Sequence, residues 1–409
     1  MLRIFRPVIL VATVASALTT PPASAATVSL DSVLALTMVR NPDLRVAGRE
    51  VEAARARLRQ ARSLDAPSAS YEVGKLGLGG DPGERESSLR LSQSLPFPSQ
   101  RNRSVRVAEA GVALAEALRE SSELRIRRET TRAYRLLQAD FLNLRALENL
   151  RSVTVDLEEM VRVRIGTGGA RYLDLLRLRA ERVRLANDLI ESERALQEHR
   201  QSLHVLMAMP GDDPLAPADS LAFIPLADSL SIHLEEAIRS RPALKAARLE
   251  LERERAGVAA AKAGLLPSTE VSFGLDWIAG VDRPGWGGEV ALQLPFMPWT
   301  DRRGRVEEAE AAKGGAEAKL LAAERSLEAT VRNAFTAVRS AERQLASFEG
   351  ALLADAEDAM RAATQNYRTG QIDGLELFET LRSYRTIQIE HVRALLNYEL
   401  ARTDLFTAE

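Results

Sequence analysis

The chain has no cysteine. That excludes disulfides, thiolate metal sites, a cysteine nucleophile and a lipid-modified N-terminal cysteine. Aromatic residues make up only 5% of the 409, too few for a series of thick globular cores. Charge of one sign is also missing: 55 Lys and Arg against 57 Asp and Glu leave a net charge of −2. Nothing in that balance favours nucleic acid. Long hydrophobic runs are absent after the N-terminus, so no segment suits a transmembrane helix and any membrane insertion must use strands. Catalytic signatures are absent as well. There is no His-Glu-x-x-His and no glycine-bracketed serine. The histidines, at 199, 204, 233 and 391, are scattered, and no methionine cluster offers soft ligands. No enzyme, metal site or cofactor is therefore expected.

What is present is Ala, Leu, Arg and Glu in quantity, a profile suited to long helices with narrow apolar seams. Residues 1–25 read as an export signal: Arg3 and Arg6, an apolar stretch from Val8 to Leu18, and the small-residue site Ala23-Ser24-Ala25. The apolar stretch is too short to span a bilayer.

The rest of the chain repeats itself about 200 residues on. Asn41-Pro42-Asp43-Leu44 returns as Arg241-Pro242-Ala243-Leu244, Pro67-Ser68 as Pro267-Ser268, and Leu95-Pro96-Phe97 as Leu294-Pro295-Phe296. The first repeat covers 26–207, a Pro/Asp-rich connector 208–228, and the second repeat 229–409. Each reads as helix, two strands, a very long helix, a glycine break and a returning helix. The strands are expected at 68–78 and 87–96, then at 268–279 and 287–296, with Gly/Pro-rich turns between them. The long helices are expected over 99–165 and 301–369, the first of them roughly 100 Å long at 1.5 Å per residue. In the second, Leu327, Val331, Ala334, Val338, Ala341, Leu345, Phe348 and Leu352 form a coiled-coil seam.

The strands alternate. Leu89, Leu91 and Leu95 share one side of the second strand; Val271, Phe273, Leu275 and Trp277 share one side of the third; Val290, Leu292 and Leu294 share one side of the fourth. Their opposite sides are polar or small. A membrane barrel has this pattern, with lipid outside and water inside. A soluble sheet with one wet face has it too, but needs an apolar layer to cover it. Trp277 suits an interfacial aromatic girdle or an ordinary packed strand. Known barrels have eight strands or more, and this chain supplies four. Several copies must then share one barrel, and three would give twelve strands.

Taken together, these features resemble the TolC family of outer-membrane efflux channels. The resemblance spans nearly the whole mature chain. It rests on the duplication, the Asn41-to-Leu44 opening, and the strand exits Gln93-Ser94-Leu95-Pro96-Phe97 and Gln293-Leu294-Pro295-Phe296. It also rests on the paired segments Arg164-to-Leu176 and Tyr367-to-Phe378. Gln100-Arg101 and Arg302-Arg303-Gly304 are most similar to the heavy-metal-efflux branch.

The resemblance implies a mainly α fold with transmembrane β strands, in which long coiled-coil helices form an α-barrel tunnel and four strands per protomer join a shared trimeric β-barrel. It implies a homotrimer in outer-membrane lipid reaching into the periplasm. The implied partners are a periplasmic adaptor (membrane fusion) protein and an inner-membrane pump of the RND or ABC type, with no nucleic acid. Pro67, Pro96, Pro267 and Pro295 would turn the chain from barrel to tunnel. The hairpin tips, near 166–172 and 370–374, carry Gly166, Gly168 and Gly370. Gly168 and Gly370 suit reversals that need positive φ; contact with the adaptor is implied by the family alone. Glu376, Glu379 and Asp174 match acidic positions that ring the periplasmic entrance, with Arg171 or Arg382 as donors on neighbouring helices. Glu376 and Glu379 share a helix face, and a solvated face in a charge-rich chain is the alternative. The function implied is a passive exit duct of a tripartite efflux or type I secretion-like system. The competing class is a periplasmic adaptor or coiled-coil scaffold.

Overall fold

The computed structural model describes residues 26–75, 85–211, 213–278, 282–293, 302–348 and 352–407. The export signal, Leu294-Pro295-Phe296 and the first strand–strand turn lie outside these.

The first repeat opens with a short strand β1 (Ala26–Val28) and helices α1 (Leu30–Arg40) and α2 (Pro42–Arg62). Strands β2 (Ser68–Lys75) and β3 (Arg85–Leu95) follow, then α3 (Pro98–Gly166) and α4 (Tyr172–Met207). A strand β4 (Leu215–Pro217) lies in the connector. The second repeat has α5 (Leu230–Ser240), α6 (Pro242–Ala263), β5 (Ser268–Ile278), β6 (Gly285–Gln293), α7 (Arg302–Ser347), α8 (Leu353–Thr369) and α9 (Gly374–Phe406).

Local chemistry sets the helix starts. Asn41 caps α2: its Oδ1 accepts from the Asp43 amide at 2.9 Å, and Pro42 fills the first turn, where no amide is needed. The same Asn41 Nδ2 donates to the Leu206 carbonyl at 3.0 Å, so the cap also ties α2 to the end of α4. The second repeat keeps the tie and changes the group. Arg241 Nη1 donates to the Thr407 carbonyl at the end of α9.

The helices form one row. Near the sheet the order is α2, α3, α6, α7; towards the glycine reversals it is α4, α3, α9, α8. The 69-residue α3 runs unbroken through both halves. Burial is confined to seams: Val331, Val338 and Leu345 of α7 are fully buried with Tyr398 of α9, and Tyr134, Leu137 and Leu203 close the seam between α3 and α4.

The connector holds one short element: β4 pairs in parallel with β1, beside the Tyr134 hydroxyl, which donates to Val28 O at 2.9 Å. Three residues are too few for alternation to reveal. One expectation needs correction, that of an unbroken second long helix. The helix expected over 301–369 is divided into α7 and α8. Phe348 and Leu352 carry π-helical backbone on either side of residues 349–351. Leu352 is 40% exposed, and burial resumes at Ala356, Met360, Ala363 and Tyr367. The seam has thus shifted by one residue, which is what a wide turn does.

Asn41→Ala removes a cap and a tether together. A lost cap costs about 1 kcal/mol, so the variant should melt earlier than the parent by circular dichroism; an unchanged transition would show that the contact contributes nothing.

Candidate functional site: a bare amphipathic sheet and a paired helical tip

β2, β3, β5 and β6 form one antiparallel sheet in that order. Directly opposed residues point to the same face. Leu89 faces Leu275, Leu91 faces Phe273, Val271 faces Val290 and Thr269 faces Leu292. The side chains expected to face lipid (Leu89, Leu91, Val271, Phe273, Leu275, Trp277, Val290 and Leu292) therefore lie together. The pairing adds Tyr71 and Val73 of β2, opposite Leu89 and Ser87, and Trp286 of β6, opposite Leu275. Tyr71 and Val73 were visible as alternation in a weakly apolar stretch. Trp286 was hidden in a glycine-rich run read as turn; pairing of Gly285 to Gly288 with β5 overrides that propensity. Trp286 stacks on Phe273 with ring centroids 6.5 Å apart.

Among the described residues no helix covers this face. Trp286 is 77% exposed, Val290 66% and Tyr71 64%. A continuous apolar surface of this size is not left to water. Hydrocarbon is the solvent that accepts it, and strands of 8 to 11 residues have about the length that crosses a bilayer. The opposite face carries Ser70, Glu72, Ser88, Arg90, Ser92, Glu270, Asp276 and Glu289, with Arg90 and Glu289 paired at 3.1 Å across Gly274. That is the wet side. β2 and β6 each keep one unpaired edge. Pro67, Pro96 and Pro267 sit where chain passes between helix and strand, and Pro295 lies outside the described residues.

At the far end the two reversals meet. Gly168 (φ +74°) and Gly370 (φ +82°) adopt the left-handed conformation that side chains resist. Gly166 does not; it ends α3, and an added Cβ there would meet nothing. Arg164 joins the tips. Its Nη2 donates to Gly169 O at 2.7 Å, its Nη1 donates to Tyr367 O, and its guanidinium lies 4.5 Å from the Tyr367 ring centroid. Burial, with the Asp174 charge second, pushes the Tyr367 hydroxyl above its usual range.

The four gate candidates are placed unequally. Asp174 is buried in the first turn of α4, where its Oδ2 accepts from the Arg171 amide at 3.2 Å. Arg171 thus engages it through backbone, with its side chain exposed. Asp174 also rests against Gly374, where an added Cβ would lie 2.5 Å from its Cγ. Glu376 and Glu379 are exposed on α9, and Glu379 meets Arg382 at 3.6 Å.

Three buried glutamates went unnoticed in the sequence: Glu399, which meets Arg135 at 3.1 Å, and two nearer the tip. Glu158 meets Arg182 at 2.8 Å, Arg162 at 3.0 Å and Arg179 at 3.7 Å. Glu181 meets Arg385 at 2.6 Å, Arg184 at 3.4 Å and Arg382 at 3.8 Å, linking α4 to α9. Stripping the partners from a carboxylate so buried costs about 3–5 kcal/mol. Among so many arginines no spacing marked them. Among the described residues no cluster of His, Cys, Asp or Glu could hold a metal, and no helix is long and apolar enough to cross a membrane.

An incomplete sheet, apolar outside and polar inside, carried on a row of very long helices, defines a wall segment of a transmembrane duct. The chain belongs to the outer membrane efflux protein family, whose model matches residues 33–208 and again 233–408. It is 23% identical over 391 residues to the cobalt-zinc-cadmium resistance protein CzcC of Cupriavidus metallidurans, covering 94% of this chain and 90% of that one. Its fold is similar to that of the outer-membrane channel OprN (TM-score 0.81, 21% identity, 93% of this chain and 89% of that one). It is also similar to VceC of Vibrio cholerae (TM-score 0.78, 18% identity, 93% and 95%). The chain is an outer-membrane efflux channel with its helical part in the periplasm. An adaptor of the competing class would carry one helical hairpin with compact β domains; the described residues form two helical hairpins and few strands.

Phe273→Asp with Leu292→Asp places two charges on the lipid face and should block outer-membrane assembly, read by fractionation and heat-modifiable gel mobility; normal assembly would exclude this face as the lipid contact. Gly374→Ala drives a methyl into Asp174. Overpacking of this kind costs about 1–3 kcal/mol, and protease sensitivity at the tip should rise.

Proposed function

We propose that three copies of this chain complete one barrel and one tunnel, forming the passive exit duct of a tripartite exporter. One observation carries the trimer: four strands with two open edges and an uncovered apolar face. Three such sheets, joined β6 to β2, give an antiparallel barrel of twelve strands, an ordinary even number. A periplasmic adaptor meets the tips at Gly168 and Gly370, and an inner-membrane pump supplies the energy. The duct does no chemistry of its own.

The cargo class we infer is divalent metal cation. The relative CzcC is a cobalt-zinc-cadmium resistance protein. Glu376 and Glu379 are exposed near the tip, and in a trimer each recurs three times around the entrance. A carboxylate ring raises the local cation concentration and repels anions. Such a ring selects by field rather than by ligation. The histidines nearest to usable geometry are occupied, His199 by Asp140 at 2.5 Å and His204 by Asp213 O at 2.9 Å.

Glu376→Ala with Glu379→Ala should lower single-channel conductance and reduce cation preference in planar bilayers. An unchanged reversal potential in a salt gradient would remove the entrance assignment and leave the duct intact.

A further inference from the structure

The row of helices leaves the same two edges open in every layer. The sheet ends at β2 and β6. The helices beside it end at α2 and α7, and those at the tips end at α4 and α8. Neighbouring copies in a ring must therefore meet α4 to α8 near the entrance, and the two faces differ in chemistry.

On α4, Leu178, Leu185, Leu189 and Leu196 are buried towards α3. The opposite face carries Leu176, Val183 and Ile190, spaced by seven and 46%, 59% and 65% exposed. An apolar stripe repeating every seven residues suits a second helix, and among the described residues none lies on it. Arg177 and Arg184 flank the seam. Arg177 has no ion-pair partner among the described residues, and Arg184 reaches only Glu181.

On α8 the outward face carries Asp355, Asp358 and Ala362, all exposed. Asp355 has no ion-pair partner among the described residues, and Asp358 meets only Arg361 of its own helix. The one-residue shift between α7 and α8 matters here, because it turns Leu352 out of the internal seam.

Axial levels agree. The Asp174–Gly374 contact sets the two tips at one height. Arg184 lies twelve residues from Tyr172 at the start of α4, and Asp358 eleven from Thr369 at the end of α8. Ile190 lies eighteen along, and Leu352 seventeen. Each pair differs by one residue, about 1.5 Å of rise.

We propose that the basic, apolar-seamed face of α4 packs against the acidic edge of α8 in the next copy, with Arg184 beside Asp358 and Ile190 beside Leu352. The contact is heterologous, so it closes only as a ring. It rests on the trimeric reading above and adds which surfaces make it.

The cysteine-free chain allows a direct test. Ala180→Cys and Ala362→Cys introduce two small, exposed substitutions at one level, eight residues from Tyr172 and seven from Thr369. Treatment of the full-length double variant in membranes with a short bis-maleimide should give covalent dimers and trimers on a denaturing gel, and each single variant should stay monomeric. Absence of these bands in protein that still migrates as an unheated trimer overturns the proposal and leaves the trimer standing. Protein that never forms a trimer overturns the duct reading instead. Arg184→Asp should lower the temperature at which trimers dissociate, and adding Asp358→Arg should restore it. A purely internal role for Arg184 through Glu181 predicts no restoration, and that result removes the ion pair.

Discussion

Along the outer edges of β2 and β6 no strand pairs among the described residues, and hydrocarbon offers the backbone no partner. An unpaired edge in a bilayer is untenable, so the sheet must be closed by another sheet. The apolar face makes the same demand from a second direction, because only lipid accepts it once the edges are joined. The helical part follows. Pro67, Pro96 and Pro267 lie where chain passes between helix and strand, and each helix buries only the narrow stripe that a neighbour in the row can cover.

The tip is organised differently. Arg164 and the Asp174–Gly374 contact pull the two reversals together, and Glu181 with Arg385 continues that link about two turns further along α4. These polar contacts sit beside a buried apolar cluster in which Leu157, Val161, Leu178, Tyr367 and Leu377 are almost fully covered. The tip is thus held by both kinds of interaction: apolar burial joins α3, α4, α8 and α9, and the polar contacts fix how the two reversals sit against each other.

Much of this was legible in the residues. Period-two alternation at Val271 to Trp277 and the 4-3 spacing from Leu327 to Phe348 fixed element type and face, because both depend on side-chain direction alone. The positive φ at Gly168 and Gly370 was readable for a different reason, since a tight helix reversal favours the residue that has no Cβ. Trp286 was not, since three glycines beside it mimic a turn until β5 pairs with them. Leu352 was misplaced because a single extra residue in a helix leaves no trace in composition. Asp174 was assigned by family position to an open ring; its burial under Gly374 depends on a helix two hundred residues away. Glu158 and Glu181 were invisible for a statistical reason: arginines lie within a turn of almost every acid on these helices.

The two repeats also differ in continuity. α3 is one 69-residue helix, whereas its counterpart comes as α7 and α8, with π-helical backbone at Phe348 and Leu352. The buried stripe of the second arm is therefore out of phase between its two halves, so that arm shows its neighbours one set of side chains beside the sheet and a differently oriented set beside the tip, while the first arm keeps a single phase throughout.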